Sequence, residues 1–271
     1  MSPGPQLGLR LLPKAAASRL AGRIARHRAS RLLIPWFRRH YRIDTSVAVV
    51  PAGGFTSLQE FFCRALKPEA RPVALAPGVL VSPVDATVGA CGPMRHDVLL
   101  QAKGETYRLA ALLGDATLAP PFHGGVYCTL YLAPSDYHRV HAPLAGRVSA
   151  ARHRRGTRWP VNPGAVRRVP GLFTANERLI VDLDTPAAGK LVLVLVGACL
   201  VGGIQLVATP PFELQRGEEL GRFKFGSTVI VVAPPAAGLE LAVIPGARVL
   251  MGEVLMRAAA GAAKTPPPAA Y

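Results

Sequence analysis

From about residue 72 to 257 the apolar positions come in short runs separated by Gly and Pro at close intervals. VALAPGVLVSPVDATVGAC (73–91), VYCTLYLAP (126–134), GRVSAA (146–151), LIVDLD (179–184), KLVLVLVGACLVGGIQLVA (190–208), STVIVVA (227–233), LELAVI (239–244) and VLMGEVLMR (249–257) are rich in β-branched residues and bounded by turn formers. Such a succession predicts strands. Many short strands with regular turn signals predict an α+β chain whose core is a mostly antiparallel β sandwich or sheet. The pattern before it is different. In residues 10–40, Leu11, Leu12, Leu20, Ile24, Leu32, Leu33, Ile34, Trp36 and Phe37 alternate with Arg19, Arg23, Arg26, Arg28, Arg31, Arg38 and Arg39, which predicts basic amphipathic helices broken or bounded by Pro35. After the Pro51–Gly54 break, TSLQEFFCRALK (56–67) reads as a helix capped by Thr56 or Ser57 with Glu60 in a capping box, ended at Lys67-Pro68.

These patterns divide the chain into a basic N-terminal segment (1–50), a β-rich domain (51–257) and an Ala/Pro-rich tail (258–271) that reads as disordered. Leu191 to Ile204 carries no charge, but it is interrupted by Gly197, Gly202 and Gly203 and falls short of the roughly 20 apolar residues a spanning helix needs. Two buried strands meeting at a Gly-rich bend fit it better, so any membrane contact is expected to be peripheral. Charge sharpens this. Of the formal +16, residues 1–44 hold +9 (ten Lys or Arg, with Asp44 the sole acid), and such a tail points to an anionic surface or to nucleic acid. The Arg-rich, acid-poor composition is also that of an organellar transit peptide, while no apolar stretch followed by a small-residue cleavage site marks a secretory signal. Cys63, Cys91, Cys128 and Cys199 form no CxxC pair and read as small core residues in a reducing compartment.

Three β-rich blocks carry groups capable of chemistry. YLAPSDYHRVHAPLAG (131–146) sets Asp136, His138, Arg139 and His141 just after an apolar strand. Pro134 and Pro143 bracket it against a long helix and no third ligand is implied, so no metal site is expected. VSPVDATVGAC (81–91) places Asp85 in a turn between strands, and GRFKFGSTVIVVAPP (221–235) places Ser227 just before one. An Asp, a His and a Ser are the components from which a nucleophile, its base and the base's orienter are assembled. Separation in sequence leaves open whether they meet.

FFCRALKPEARPV (61–73), SPVDATV (82–88), QAKGETYRLAALLG (101–114), YLAPSDYHRVHAP (131–143), LFTANERLI (172–180), VGACLVGGI (196–204) and GEELGRFKFGSTVIVV (217–232) occur in one order. In these blocks, above all DYHRVHAP with FKFGST, the chain resembles the phosphatidylserine decarboxylases, self-processing pyruvoyl enzymes of phospholipid synthesis. It departs from their usual pattern at Ala86 and Glu69, where Gly is more common. The resemblance implies self-cleavage at Gly226–Ser227, with Ser227 the nucleophile and then the pyruvoyl group, the covalent cofactor. It implies that Asp85 and His141 complete the triad and that His138 is the candidate acid in decarboxylation. It implies a β chain of 1–226 and an α chain of 227–271 that stay associated, a homodimer, and decarboxylation of phosphatidylserine through a Schiff base to give phosphatidylethanolamine and carbon dioxide. No metal is required. The setting it implies is peripheral, on the cytoplasmic face of a bacterial membrane, or the mitochondrial inner membrane in a eukaryote. ARHRRGTRWPVNPGAVRRVPG (151–171) falls where the family has a mobile segment, and Arg154, Arg155, Arg167, Arg168 and Trp159 are the candidates there for holding the lipid phosphate and anionic headgroups.

Two other readings compete. An unprocessed Ser-His-Asp hydrolase would use the same triad, but Phe-Gly-Ser-Thr-Val is not the G-x-S-x-G elbow. A basic nucleic-acid-binding β protein accords with the charge, but only 6% of residues are aromatic and no stacking platform appears, so no nucleic acid is expected.

Overall fold

The computed structural model describes residues 22–198, 203–224 and 227–259. Gly226, Cys199, the part of the basic segment before Gly22 and the tail from residue 260 lie outside them.

The apolar runs become strands: β1 (Val79–Val81), β2 (Ala86–Pro93), β3 (Val98–Ala102), β4 (Glu105–Arg108), β5 (Val126–Leu132), β6 (Arg139–His141), β7 (Gly146–Arg154), β8 (Arg178–Thr185), β9 (Gly189–Gly197), β10 (Ile204–Leu206), β11 (Phe212–Leu214), β12 (Glu219–Phe223), β13 (Ser227–Ala233), β14 (Leu239–Leu241), β15 (Arg248–Val249) and β16 (Val254–Ala258). The pairings between them are antiparallel, as the α+β expectation required. Eight strands form the main sheet, in the order β11-β7-β8-β9-β13-β5-β2-β15; two three-stranded sheets, β1-β16-β14 and β10-β12-β6, accompany it.

β13 lies inside the main sheet, with Ser227 opposite Leu132 of β5 on one side and Gly197 of β9 on the other. Its side chains alternate between two cores. Val229 and Val231 face a core shared with Leu130, Leu193, Leu80, Val140, Phe223 and Met256, which joins the main sheet to the smaller ones. Ile230 and Val232 face a second core closed by Leu109, Leu112, Phe122 and Phe173. Burial on both faces is why this strand reads as an unbroken apolar run, where a half-exposed strand would alternate.

A third cluster ties the N-terminal segment down. Phe37 of helix α1 (Ile34–His40) packs with Phe61 and Phe62 of helix α2 (Leu58–Phe62), and Pro35 sits in the first turn of α1, starting the helix instead of breaking it. The α2 cap forms as the sequence indicates: Ser57 Oγ accepts from the Glu60 N–H at 3.2 Å, while Glu60 reaches back to the Thr56 N–H at 2.6 Å. The helix stops at Phe62, five residues before Lys67. The backbone beyond it bonds sideways instead, Val49 N to Ala65 O and Lys67 N to Val47 O, so tertiary pairing overrides helix propensity there.

Candidate active site

The chain around the DYHRVH block contacts both β12 and β13. Upstream of the block, Leu132 pairs with Ser227. Downstream, the His138 carbonyl accepts the Phe223 N–H at 3.0 Å, and β6 then runs along β12. The chain between Leu132 and His138 must therefore turn sharply. Asp136 fixes that turn: its carboxylate accepts the Ala133 N–H at 2.7 Å and takes two bonds from Arg248, at 2.7 and 3.1 Å.

Ser227 has no exposed surface, and its Oγ has no hydrogen-bond partner among the described residues. Alternation along β13 puts that side chain on the Val229–Val231 face. His138 is also fully buried. Its Nδ1–H donates to the Asp136 carbonyl at 2.9 Å, which leaves a lone pair on Nε2, and Nε2 has no partner among the described residues. The Phe62 ring lies 3.9 Å from the imidazole, centre to centre. Burial pushes the His138 pKa down to about 3, and the nearby Arg64 charge adds to this. His138 is therefore neutral at pH 7. Buried polar atoms without partners are uncommon in folded chains, and Ser227 Oγ and His138 Nε2 are both of this kind.

His141 is oriented by backbone. Its Nδ1–H donates to the Gly217 carbonyl at 2.8 Å, and Nε2 accepts from the Tyr137 hydroxyl at 3.0 Å. Burial lowers its pKa, against the opposing pull of the Gly217 carbonyl. Asp85 is buried as well, but its carboxylate is occupied by Arg71, whose Nε lies 2.9 and 3.1 Å from the two oxygens, and by the Met251 N–H at 2.9 Å. The structure thus gathers Asp85, His138 and His141 near one another without a hydrogen bond from Asp85 to His141; the residue that holds the imidazole is Gly217. Arg71, Tyr137, Arg248 and Arg64 complete the surroundings. Arg64 and Arg71 stand in the FFCRALKPEARPV block and Tyr137 inside DYHRVH, but nothing in their spacing marks them.

The arginine-rich loop lies elsewhere. Val161, Trp159 and Val166 pack on the second core, across the main sheet from the Ser227 side chain. Arg154 Nε reaches the Leu113 carbonyl at 3.4 Å, and Arg155, Arg167 and Arg168 are exposed. The loop is not part of the Ser227 constellation.

Comparison with known proteins agrees with this architecture. A sequence model of the family described as phosphatidylserine decarboxylase matches residues 58–257. The chain is 44% identical to the phosphatidylserine decarboxylase proenzyme of Anaeromyxobacter sp. (strain K), over 93% of this chain and 97% of that one. It is 39% identical to the proenzyme of Brevibacillus brevis, over 90% and 94%. It is 42% identical to that of Pseudomonas aeruginosa, over 83% and 86%. With its matched residues running from α2 through β16, the chain belongs to the phosphatidylserine decarboxylase family.

Proposed function

We propose that this chain is a proenzyme that cleaves itself at Gly226–Ser227 and then decarboxylates phosphatidylserine to phosphatidylethanolamine. The observation that carries the reading is the buried Ser227 Oγ, without a partner among the described residues, at the head of a strand paired on both sides. In the first stage Ser227 Oγ attacks the Gly226 carbonyl carbon while a histidine takes the hydroxyl proton, and the peptide nitrogen leaves, giving an ester. Loss of the Ser227 α-proton expels the Gly226 carboxylate from Cβ. Water then replaces the nitrogen, which departs as ammonia, leaving a pyruvoyl group on residue 227. His141 is the base for the first proton once Tyr137 yields its place at Nε2.

The surroundings fit such a group: residue 227 is sealed from water, and its neighbour in β9 is Gly197, which has no side chain to crowd it. When present, a pyruvoyl carbonyl supplies the electron sink that lets an α-amino acid lose carbon dioxide. The protein's own part is proton handling. His138, once protonated, is a strong acid and returns a proton from Nε2 to the carbon that has lost carboxylate. Burial, by lowering its pKa, strengthens that acid. Phe62 shields the exchange from bulk water.

The enzyme acts at a membrane surface as a peripheral homodimer, on the cytoplasmic face in a bacterial cell. Among the described residues no helix is long and apolar enough to cross a membrane. Ile24, Leu32, Leu33 and Trp36 are exposed beside Arg28, Arg31, Arg38 and Arg39 while Phe37 anchors the same segment, an arrangement suited to lying in an interface. Arg154, Arg155, Arg167 and Arg168 add contacts to anionic headgroups, with Trp159 beside them.

Mass spectrometry of the purified protein tests the central claim. An α chain starting at residue 227 and blocked by pyruvoyl supports it; an intact 28.6 kDa chain in an active preparation overturns it and favours the unprocessed hydrolase. Ser227→Ala abolishes both cleavage and activity. Trp36→Ala with Leu32→Ser weakens sedimentation with anionic vesicles, as does replacing the four loop arginines by Gln; unchanged binding in both refutes the membrane face.

A further inference from the structure

A cleft of about 500 Å³ opens where α2 meets β6, β10 and β12, lined in part by Arg64, Arg139, Arg222 and Lys224. Most of the charge around it is already engaged. Arg139 donates to Glu219 at 2.6 Å, and Arg222 Nε lies 3.8 Å from the same carboxylate. The acid on the cleft wall, Glu60, accepts from Thr56 N and Oγ1. Arg64 differs. It is 5% exposed and spends one nitrogen on the Ser135 carbonyl at 3.2 Å, while Nε and Nη1 have no acceptor among the described residues. Its guanidinium carbon stands 5.4 Å from the centre of the Phe61 ring, a modest compensation. The nearest acids are committed elsewhere, Asp85 to Arg71 and Asp136 to Arg248. A buried guanidinium with unmet donors is costly unless an anion arrives to meet them.

We propose that Arg64 binds the phosphate of the phosphodiester headgroup, with Lys224 and Arg222 assisting from the cleft wall. This rests on the decarboxylase reading and names the residue that orients the substrate for it. Position supports it. Arg64 is two residues beyond Phe62, whose ring touches His138, and Lys224 is three residues before Ser227. In a phosphatidylserine headgroup only a few bonds separate the amine from the phosphorus, so a phosphate held here directs the amine toward residue 227. The phosphate is a better match than the substrate carboxylate. A guanidinium on the carboxylate would stabilise the charge that the reaction removes, raising the barrier, whereas the phosphate charge is the same before and during reaction. A planar fork of donors also suits phosphate oxygens. The arginine-rich loop, across the sheet, is left with the surrounding anionic surface.

Because such binding is uniform along the reaction, its loss is read in KM. In mixed micelles of phosphatidylserine, Arg64→Gln is expected to raise KM by about 10- to 100-fold, the loss of a charge-assisted bond; Arg64→Lys, which keeps a positive charge beside His138, recovers part of it. The water-soluble phosphodiester glycerophosphoethanolamine inhibits the unmodified enzyme competitively, more strongly than inorganic phosphate, and loses this effect on Arg64→Gln. Self-cleavage, followed on a denaturing gel, proceeds in both variants. Unchanged KM in cleaved Arg64→Gln, a loss confined to kcat, or no inhibition of the unmodified enzyme overturns the assignment. Inhibition by inorganic phosphate as strong as by the diester overturns it in favour of a free-phosphate site. Should Arg64→Gln fail to fold, Arg222→Gln with Lys224→Gln is read instead: a KM rise of about three- to tenfold supports the assignment, no rise refutes it. An unmodified chain that neither cleaves nor decarboxylates refutes the enzymatic reading itself, a result distinct from any of these.

Discussion

Lowering the pH from about 7.5 to 5 should cost this fold roughly 2 kcal/mol through His138 alone. In the unfolded chain a histidine titrates near pH 6.5. In the folded chain burial holds His138 neutral until about pH 3. Between these values the unfolded state binds a proton that the native state refuses, so the stability is fully present above about pH 6.5 and is lost as pH falls toward 3. The slope is about 1.4 kcal/mol per pH unit, which gives roughly 2 kcal/mol at pH 5, or about 4–8 °C in Tm for a chain of this size. His141, also lowered by burial, contributes with the same sign. The measurement is urea denaturation of Ser227→Ala, which keeps the chain in one piece, at both pH values, alongside the double variant Ser227→Ala/His138→Gln. The double variant should lose roughly 2 kcal/mol less on acidification. Equal losses in the two proteins would show that His138 is protonated, or reachable by water, in the native state.

Two further substitutions test how the scaffold is held. Arg178 is buried and donates to the carbonyls of Leu112, Thr174, Asn176 and Ala111 at 2.6–2.9 Å, tying β8 to two helical segments; Arg178→Leu leaves those acceptors unmet and should destabilise by about 3–5 kcal/mol, read from the urea midpoint of Ser227→Ala. At Gly125 an added Cβ would stand 2.1 Å from the Ala233 carbonyl oxygen, at the far end of β13; Gly125→Ala should cost about 3 kcal/mol or more in the same assay, and a neutral result would mean that the β5–β13 pairing shifts to make room.

The strand content was legible because burial on both faces writes itself as apolar runs. STVIVVA at 227–233 becomes β13 without a residue's difference, and the 190–208 run resolves into β9 and β10 on either side of its glycines. The β3–β4 hairpin was not legible, since VLLQAKGETYR carries no sustained alternation and is closed by Lys103 at φ +51 and Gly104 at φ +82. Helix α2 was over-extended for a different reason: pairing of residues 65 and 67 with 47–49 has no local signature. At the site, the Asp, His and Ser blocks were visible because their residue types are chemically unusual in β-rich surroundings. The partner that occupies Asp85, Arg71, was not, although only fourteen positions separate them, because an arginine in a loop looks like any solvated one. Gly217 as the group orienting His141 is a backbone carbonyl, and no side-chain pattern could have announced it.

The position of β13 inside its sheet bears on the life of the molecule after cleavage. Under the proposed cleavage at Gly226–Ser227, the α chain would supply β13 to the centre of the main sheet, β15 to its edge, and β14 and β16 to a second sheet, so among the described residues no surface exists along which the two products could part without dismantling the structure. A chain cut there would become a two-component complex whose stability depends on concentration. Its folding instructions are divided between the pieces. A precursor can be melted and refolded as a unimolecular event, whereas the mature protein, once melted, has to find its other half in solution and thread a short strand between two that are free to close on each other. Cutting the bond therefore commits the molecule to being folded once.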